Sequence, residues 1–235
     1  MVEYCRKGWC GLMNYFDMFI FSCEIISIVS FGISGAVTAI KKGMDMFGAI
    51  TLGVVTSIGG GVIRDMILGI HPPKTFMRPV YAVVAALSAL ITFIIEAHHF
   101  HKYKNIDLPH TGRFTDEVLF WLDTVGLAVF TMVGIAVAYE QSPDYNAFVL
   151  CFVGVITGVG GGIMRDTFTL QLPYIFVKHI YASACIAGSI ICVLLWNIAG
   201  RYIAMLSGMA VVILLRYFAR RYKWNLPRLV PRDDG

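Results

Sequence analysis

Four stretches of this chain contain no Asp, Glu, Lys or Arg: Met46–Ile63, Pro79–Ile95, Tyr145–Met164 and Ile180–Gly200. Each approaches or reaches the ~20 apolar residues that cross a hydrocarbon layer ~30 Å thick. The 235 residues would otherwise allow one or two soluble domains. Soluble domains carry about 25% charged residues, whereas this chain has 14% against 57% hydrophobic. The runs therefore exclude a soluble domain and predict an all-α integral membrane protein. The N-terminus does not read as a cleavable signal peptide. Arg6, Lys7 and Asp17 interrupt it, and no small-residue cleavage site follows its first apolar run.

The hydropathy pattern predicts seven spans, at 18–40, 45–69, 79–97, 117–140, 145–169, 175–197 and 199–217. The seventh is the weakest, because Arg201 and Arg216 bracket only Tyr202–Leu215. Arginine stems can snorkel to the interface, so this segment still crosses. Residues 1–16 form an N-terminal segment, 17–97 and 117–197 two three-helix units, and 98–116 a polar connecting loop. The seventh helix occupies 198–217 and a basic tail 218–235. Seven spans put the termini on opposite sides. Twelve Lys and Arg fall on the C-terminal side and five on the N-terminal side. The positive-inside rule then makes the C-terminus cytoplasmic in a cell (inner) membrane. The tail, RYFARRYKWNLPRLVPR, can also meet anionic membrane lipid.

Within this pattern a repeat stands out. TSIGGGVIRD at Thr56–Asp65 recurs as TGVGGGIMRD at Thr157–Asp166. Glu24–Gly35 and Asp123–Gly134 have equal spacing, Phe31 matches Phe130, and Phe47 matches Phe148. Pro73–Tyr81 and Pro173–Tyr181 are again equally spaced, with Arg78 opposite Lys178. Each half holds three spans, and an odd number forces the halves into opposite orientations. This is the pattern of an inverted repeat with a shared site near the bilayer midplane.

Glycine weakens a helix, so a triplet inside a span predicts a broken helix. A break exposes carbonyls that suit a cation, tolerated only where they line a cavity. The second and fifth helices are expected to kink at Gly59, Gly60, Gly61 and at Gly160, Gly161, Gly162. The carbonyls of Ile58–Gly60 and Val159–Gly161 are then candidate K⁺ ligands. Close helix packing is the competing use of small residues in a membrane. A nucleotide-binding loop does not fit, because no strand precedes the glycines and no Walker lysine follows.

The charges inside the spans are pore or gating candidates: Glu24, Arg64, Asp65, Asp123, Arg165 and Asp166. Intramembrane ionisable groups mark function by default. By depth, Glu24 should pair with Arg64 and Asp123 with Arg165, leaving Asp65 and Asp166 free to attract cations. Gly32, Ser34, Gly35, Gly126 and Gly134 permit close helix contacts, within or between chains. Six cysteines form no CxxC pair. Cys23, Cys151, Cys185 and Cys192 read as small core residues, and Cys5 with Cys10 could bond if exported. His98, His99, His101 and His110 cluster in the polar loop without an acid at metal-ligand spacing, which reads as solvated loop.

The two GGGxxRD segments, the acid opening each unit and the P…RPVYA and LP…KHIYA endings resemble the prokaryotic branch of the trimeric intracellular cation channels. The resemblance covers about residues 17–217. Some members carry a glycine-transporter label. It implies two inverted three-helix repeats plus a seventh helix, in a homotrimer with one pore per protomer. It also implies conduction of monovalent cations, chiefly K⁺ with Na⁺ also possible, along the two kinked helices. The animal branch has a Lys-Glu-Val segment in place of the first triplet; this chain does not, so animal-type roles in calcium stores do not transfer.

The expected function is therefore a cation channel without a cofactor, its partners being membrane lipid and further copies of itself, not nucleic acid. A secondary transporter of glycine or another small solute is the alternative, since inverted repeats and broken helices serve carriers equally well. An intramembrane enzyme is the weakest class, because no nucleophile–base pair or ligand set stands out.

Overall fold

A computed structural model describes residues 15–102, 111–177 and 180–224 of the chain. The expectations for Cys5, Cys10, His110, Lys178, the side chains of His99 and His101, and the end of the basic tail fall outside what it describes. The described chain is helical: α1 (Tyr15–Lys41), α2 (Met46–Ile67), α3 (Lys74–Met77), α4 (Val80–Lys102), α5 (Thr111–Gln141), α6 (Ala147–Phe168), α7 (Tyr174–Val177), α8 (Ala182–Trp196) and α9 (Arg201–Arg221). Six helices are long and apolar enough to cross a membrane, and Ala182–Trp196 is a shorter apolar helix. This is a multi-pass membrane protein.

Local chemistry repeats between the halves. The Asp45 carboxylate accepts from the Gly48 N–H at 2.7 Å, and the Asn146 amide oxygen accepts from the Val149 N–H at 2.9 Å. Both cap the first turn of a triplet-bearing helix, satisfying a donor with no partner inside the helix. At the other ends, Gly69 (φ +69°) follows α2 and Leu170 (φ +54°) follows α6. The halves meet through α1 on α5 and α2 on α6. Phe31 and Phe130, matched by the repeat, are both buried with ring centroids 5.7 Å apart.

Two expectations about the spans need correction. The sixth span is the short one, with 15 residues, and the seventh is a full helix of 21. At ~1.5 Å per residue, α8 is only about 22 Å long. Residues 175–197 do not form one span, because the short helix α7 is followed by Ile180 at φ +53° before α8 starts. The seventh helix keeps its length because its arginines are partnered. Arg201 stacks 4.0 Å over the Phe16 ring, and Arg216 is buried against Asp123 rather than snorkelling outward.

The expected breaks at the glycines are absent. α2 and α6 run as uninterrupted helices through Gly59–Gly61 and Gly160–Gly162. The triplets serve the close crossing of the two helices. A β-carbon at Gly60 would stand 2.2 Å from the Thr157 carbonyl oxygen, and one at Gly161 would stand 2.2 Å from that of Thr56. No side chain fits there, so only glycine lets the backbones approach so closely. The small residues of α1 and α5 also work within the chain. β-carbons at Gly35 and Gly134 would lie 2.7 Å from the Gly53 Cα and 2.5 Å from the Thr157 hydroxyl.

Candidate functional site

Two charged clusters occupy opposite ends of the α2–α6 crossing. The first lies where α1 begins and α2 ends. Arg64 donates from Nε to Asp65 Oδ1 at 2.8 Å, and its Nη1 lies 3.8 Å from Glu24 Oε1. Tyr81 donates its hydroxyl to the other Glu24 oxygen, and Arg78 donates to the Tyr81 oxygen at 3.1 Å. Burial works against the Arg78 charge, but the Tyr81 and Glu24 partners outweigh it and hold its pKa above the ordinary value. Beside this cluster is a cavity of about 10 Å³, lined in part by Glu24, Ser57, Ile58, Gly61, Arg64 and Tyr81.

The second cluster lies where α5 begins and α6 ends. Arg165 donates from Nε to Asp166 Oδ1 at 2.8 Å and from Nη1 to Asp123 Oδ1 at 3.1 Å. The same Nη1 donates to the Ser34 hydroxyl at 2.6 Å, and Tyr181 donates to Asp123 at 3.2 Å. Arg216 Nη1 approaches Asp123 Oδ2 at 3.0 Å, as an ion pair without hydrogen-bond alignment. Arg165 Nη2 is buried with no hydrogen-bond partner among the described residues. A cleft of about 630 Å³ opens here, lined in part by Phe120, Asp123, Tyr181, Arg216, Arg220 and Lys223.

The structure thus brings Glu24 to Arg64 and Asp123 to Arg165, as depth along the spans suggests. Asp65 and Asp166 are not free. Both are buried, and their second oxygens accept backbone N–H groups, from Lys74 at 2.7 Å and from Tyr174 at 2.9 Å. Each carboxylate neutralises the arginine beside it and holds the start of a short helix, α3 or α7. The six candidate charges are four acids and two arginines, and Arg78 and Arg216, which join the clusters, balance them.

Arg78, Tyr81, Tyr181, Ser34 and Arg216 are the site residues that sequence reasoning missed. The two tyrosines were signalled by their equal spacing from Pro73 and Pro173. Arg216 carries no repeat signal, because α9 stands outside both repeats. Among the described residues the four cysteines are unbonded; Cys23, Cys185 and Cys192 are buried and Cys151 is half-buried.

Comparison with known proteins agrees with this architecture. The family model described as "Glycine transporter" matches twice, at residues 21–97 and 120–197. The chain is 34% identical over 220 residues to the inner membrane protein YadS of Escherichia coli (strain K12), covering 93% of this chain and all of that protein. It superposes on the TRIC trimeric intracellular cation channel orthologue from Rhodobacter sphaeroides with a TM-score of 0.76 at 30% identity, covering 88% of this chain and 99% of that one. The chain belongs to the prokaryotic TRIC family. A second TRIC channel, solved in 0.5 M KCl, aligns with a TM-score of 0.78 at 30% identity over 89% of this chain and 99% of its own. A further solved TRIC cation channel gives 0.73 at 33% identity, over 89% of this chain and 97% of its own. The family model matches one three-helix unit at a time, and α9 of this TRIC chain lies outside both matches.

Proposed function

We propose that this protein is a monovalent cation channel that conducts chiefly K⁺ and admits Na⁺, with one pore per protomer of a homotrimer. The observation that carries the reading is the likeness to three solved TRIC cation channels, each covered along 97% or more of its length at 30–33% identity. The pore runs along the α2–α6 crossing, between the Glu24–Arg64 cluster and the Asp123–Arg165 cluster. Carbonyls of Ile58–Gly60 and Val159–Gly161 coordinate the ion together with water. They sit inside continuous helices, so each offers the second lone pair that a helical carbonyl keeps. Ile58 lines the cavity beside Glu24. Selectivity for K⁺ over Na⁺ is modest, since the sequence holds no rigid carbonyl filter such as TVGYG. The C-terminus faces the cytoplasm, following its Lys and Arg excess.

A carrier of glycine is the second reading, favoured by the description of the matching family model. Reconstitution separates the two. A channel gives unitary K⁺ currents in a planar bilayer, whereas a carrier gives saturable glycine uptake into liposomes and no unitary openings.

A further inference from the structure

Asp123 is held by two guanidiniums, and only one of them belongs to the repeat. Arg165 lies 3.1 Å from one carboxylate oxygen and Arg216 3.0 Å from the other. Among the described residues, its repeat counterpart Glu24 has a single guanidinium in ion-pair range, Arg64 at 3.8 Å, with Arg78 one step further off on the Tyr81 phenol. Arg216 is supplied by α9, which has no equivalent in the first half. The ring faces of Tyr181 and Phe120 hold its guanidinium in place, 4.6 and 5.1 Å from their centroids. It lines the cleft of about 630 Å³, together with the cations Arg220 and Lys223. The cavity beside Glu24 is about 10 Å³ and, among the described residues, has Arg64 as its one lining cation.

We infer that Arg216 is an electrostatic barrier at the C-terminal-side mouth, making the two mouths unequal so that cation current rectifies. The inference rests on the channel reading above. A charge set in a cleft with low-dielectric walls focuses its field and shifts the local concentration of mobile ions. A cation entering through the wide cleft meets Arg216, Arg220 and Lys223 against Asp116, with Asp123 already neutralised twice and Arg220 3.8 Å from Glu117. A cation entering at the other mouth meets Glu24, whose nearest guanidinium, Arg64, stands 3.8 Å away. Current is therefore larger for cations entering beside Glu24, most of all at low salt, where screening is weakest.

The test uses the full-length protein in planar bilayers of neutral phospholipid with symmetric KCl at low and high concentration. The readout is the ratio of the larger to the smaller unitary current at equal and opposite voltages, which does not depend on the direction of insertion. In the wild type this ratio exceeds one at low salt and falls toward one at high salt. Arg216→Gln moves it toward one, by on the order of two- to threefold, and Arg216→Lys keeps the wild-type ratio. Asp123→Asn, which leaves two guanidiniums facing the cleft, moves it further from one. Opposite shifts in the Gln and Asn variants identify a charge effect, because a purely structural lesion would move both the same way. If Arg216→Gln does not fold, the Lys and Asn variants decide. A wild-type ratio in the first with a raised ratio in the second upholds the inference, and an unchanged or lowered ratio in the second overturns it. If Asp123→Asn does not fold either, the wild-type ratio at low and high salt decides alone. Wild-type unitary currents with a ratio of one at low salt overturn the inference alone. A wild type without unitary currents overturns the channel reading and the inference with it.

Discussion

Arg165 donates from Nη1 to the Ser34 hydroxyl at 2.6 Å, across the boundary between the two repeats. Ser34 is on α1 of the first half, and Arg165 closes α6 of the second. The repeat places Val133 of α5 opposite Ser34 of α1, so Arg64 has no such hydroxyl. The equivalent ion pairs are 3.1 Å in the second cluster and 3.8 Å in the first.

Ser34→Ala therefore removes a partner from a buried guanidinium that already has one unpartnered nitrogen. Leaving a buried polar group unmet costs about 1–3 kcal/mol, more where it is charged. The variant should unfold at least that much more easily in detergent, read by its thermal midpoint. A midpoint equal to wild type would show that the Ser34 contact contributes nothing.

The triplets make a graded prediction. Gly60→Ala drives a β-carbon into the Thr157 backbone at 2.2 Å, whereas Gly61→Ala meets nothing closer than the Thr75 hydroxyl at 3.3 Å. Backbone cannot swing aside as a side-chain tip can. Gly60→Ala should cost about 3 kcal/mol or more and Gly61→Ala less than about 1 kcal/mol. Gly161→Ala should behave like Gly60→Ala. Equal effects at Gly60 and Gly61 would point to a flexible hinge instead of a crossing point.

The Arg-Asp steps give a third. Asp65 and Asp166 each accept an arginine Nε–H and a backbone N–H. Asp65→Asn or Asp166→Asn leaves a buried guanidinium short of an anion, and breaking such a pair costs about 3–5 kcal/mol. Loss of folded protein on size-exclusion chromatography is the expected result for each. Well-folded variants that differ only in low-salt conductance would restore the cation-attracting role for these two acids.

Leu170 gives a prediction of opposite sign. It holds φ +54° and is 96% exposed, where the first half has Gly69 at φ +69°. A left-handed backbone costs a non-glycine residue about 1–2 kcal/mol. Leu170→Gly should therefore raise the thermal midpoint, with a net gain of about 1 kcal/mol once the greater freedom of glycine in the unfolded chain is counted. A lowered midpoint would mean that the exposed leucine contacts lipid or another copy.

Much of the membrane architecture is legible in the amino-acid order, because charge-free runs and a doubled motif leave few alternatives. The pairing of Glu24 with Arg64 and of Asp123 with Arg165 also follows from depth along the spans. The use of the triplets does not. Low helix propensity is a local quantity of about 1 kcal/mol per glycine, and here the tertiary contact between Gly60 and Thr157 outweighs it. Asp65 and Asp166 were misread for a related reason. Their backbone partners, Lys74 and Tyr174, lie nine and eight residues on in the chain, at the start of helices too short to announce themselves. Arg216 was hidden because one arginine near the end of a span serves equally well as an orientation signal.

The central claim is that the α2–α6 crossing carries cations. Unitary current from the purified wild-type protein in a planar bilayer under a KCl gradient tests it most directly. The account predicts discrete openings whose reversal potential lies close to the K⁺ equilibrium value, and only a small shift when Na⁺ replaces K⁺ on one side. Silent bilayers, together with saturable glycine uptake by liposomes of the same preparation, would contradict it.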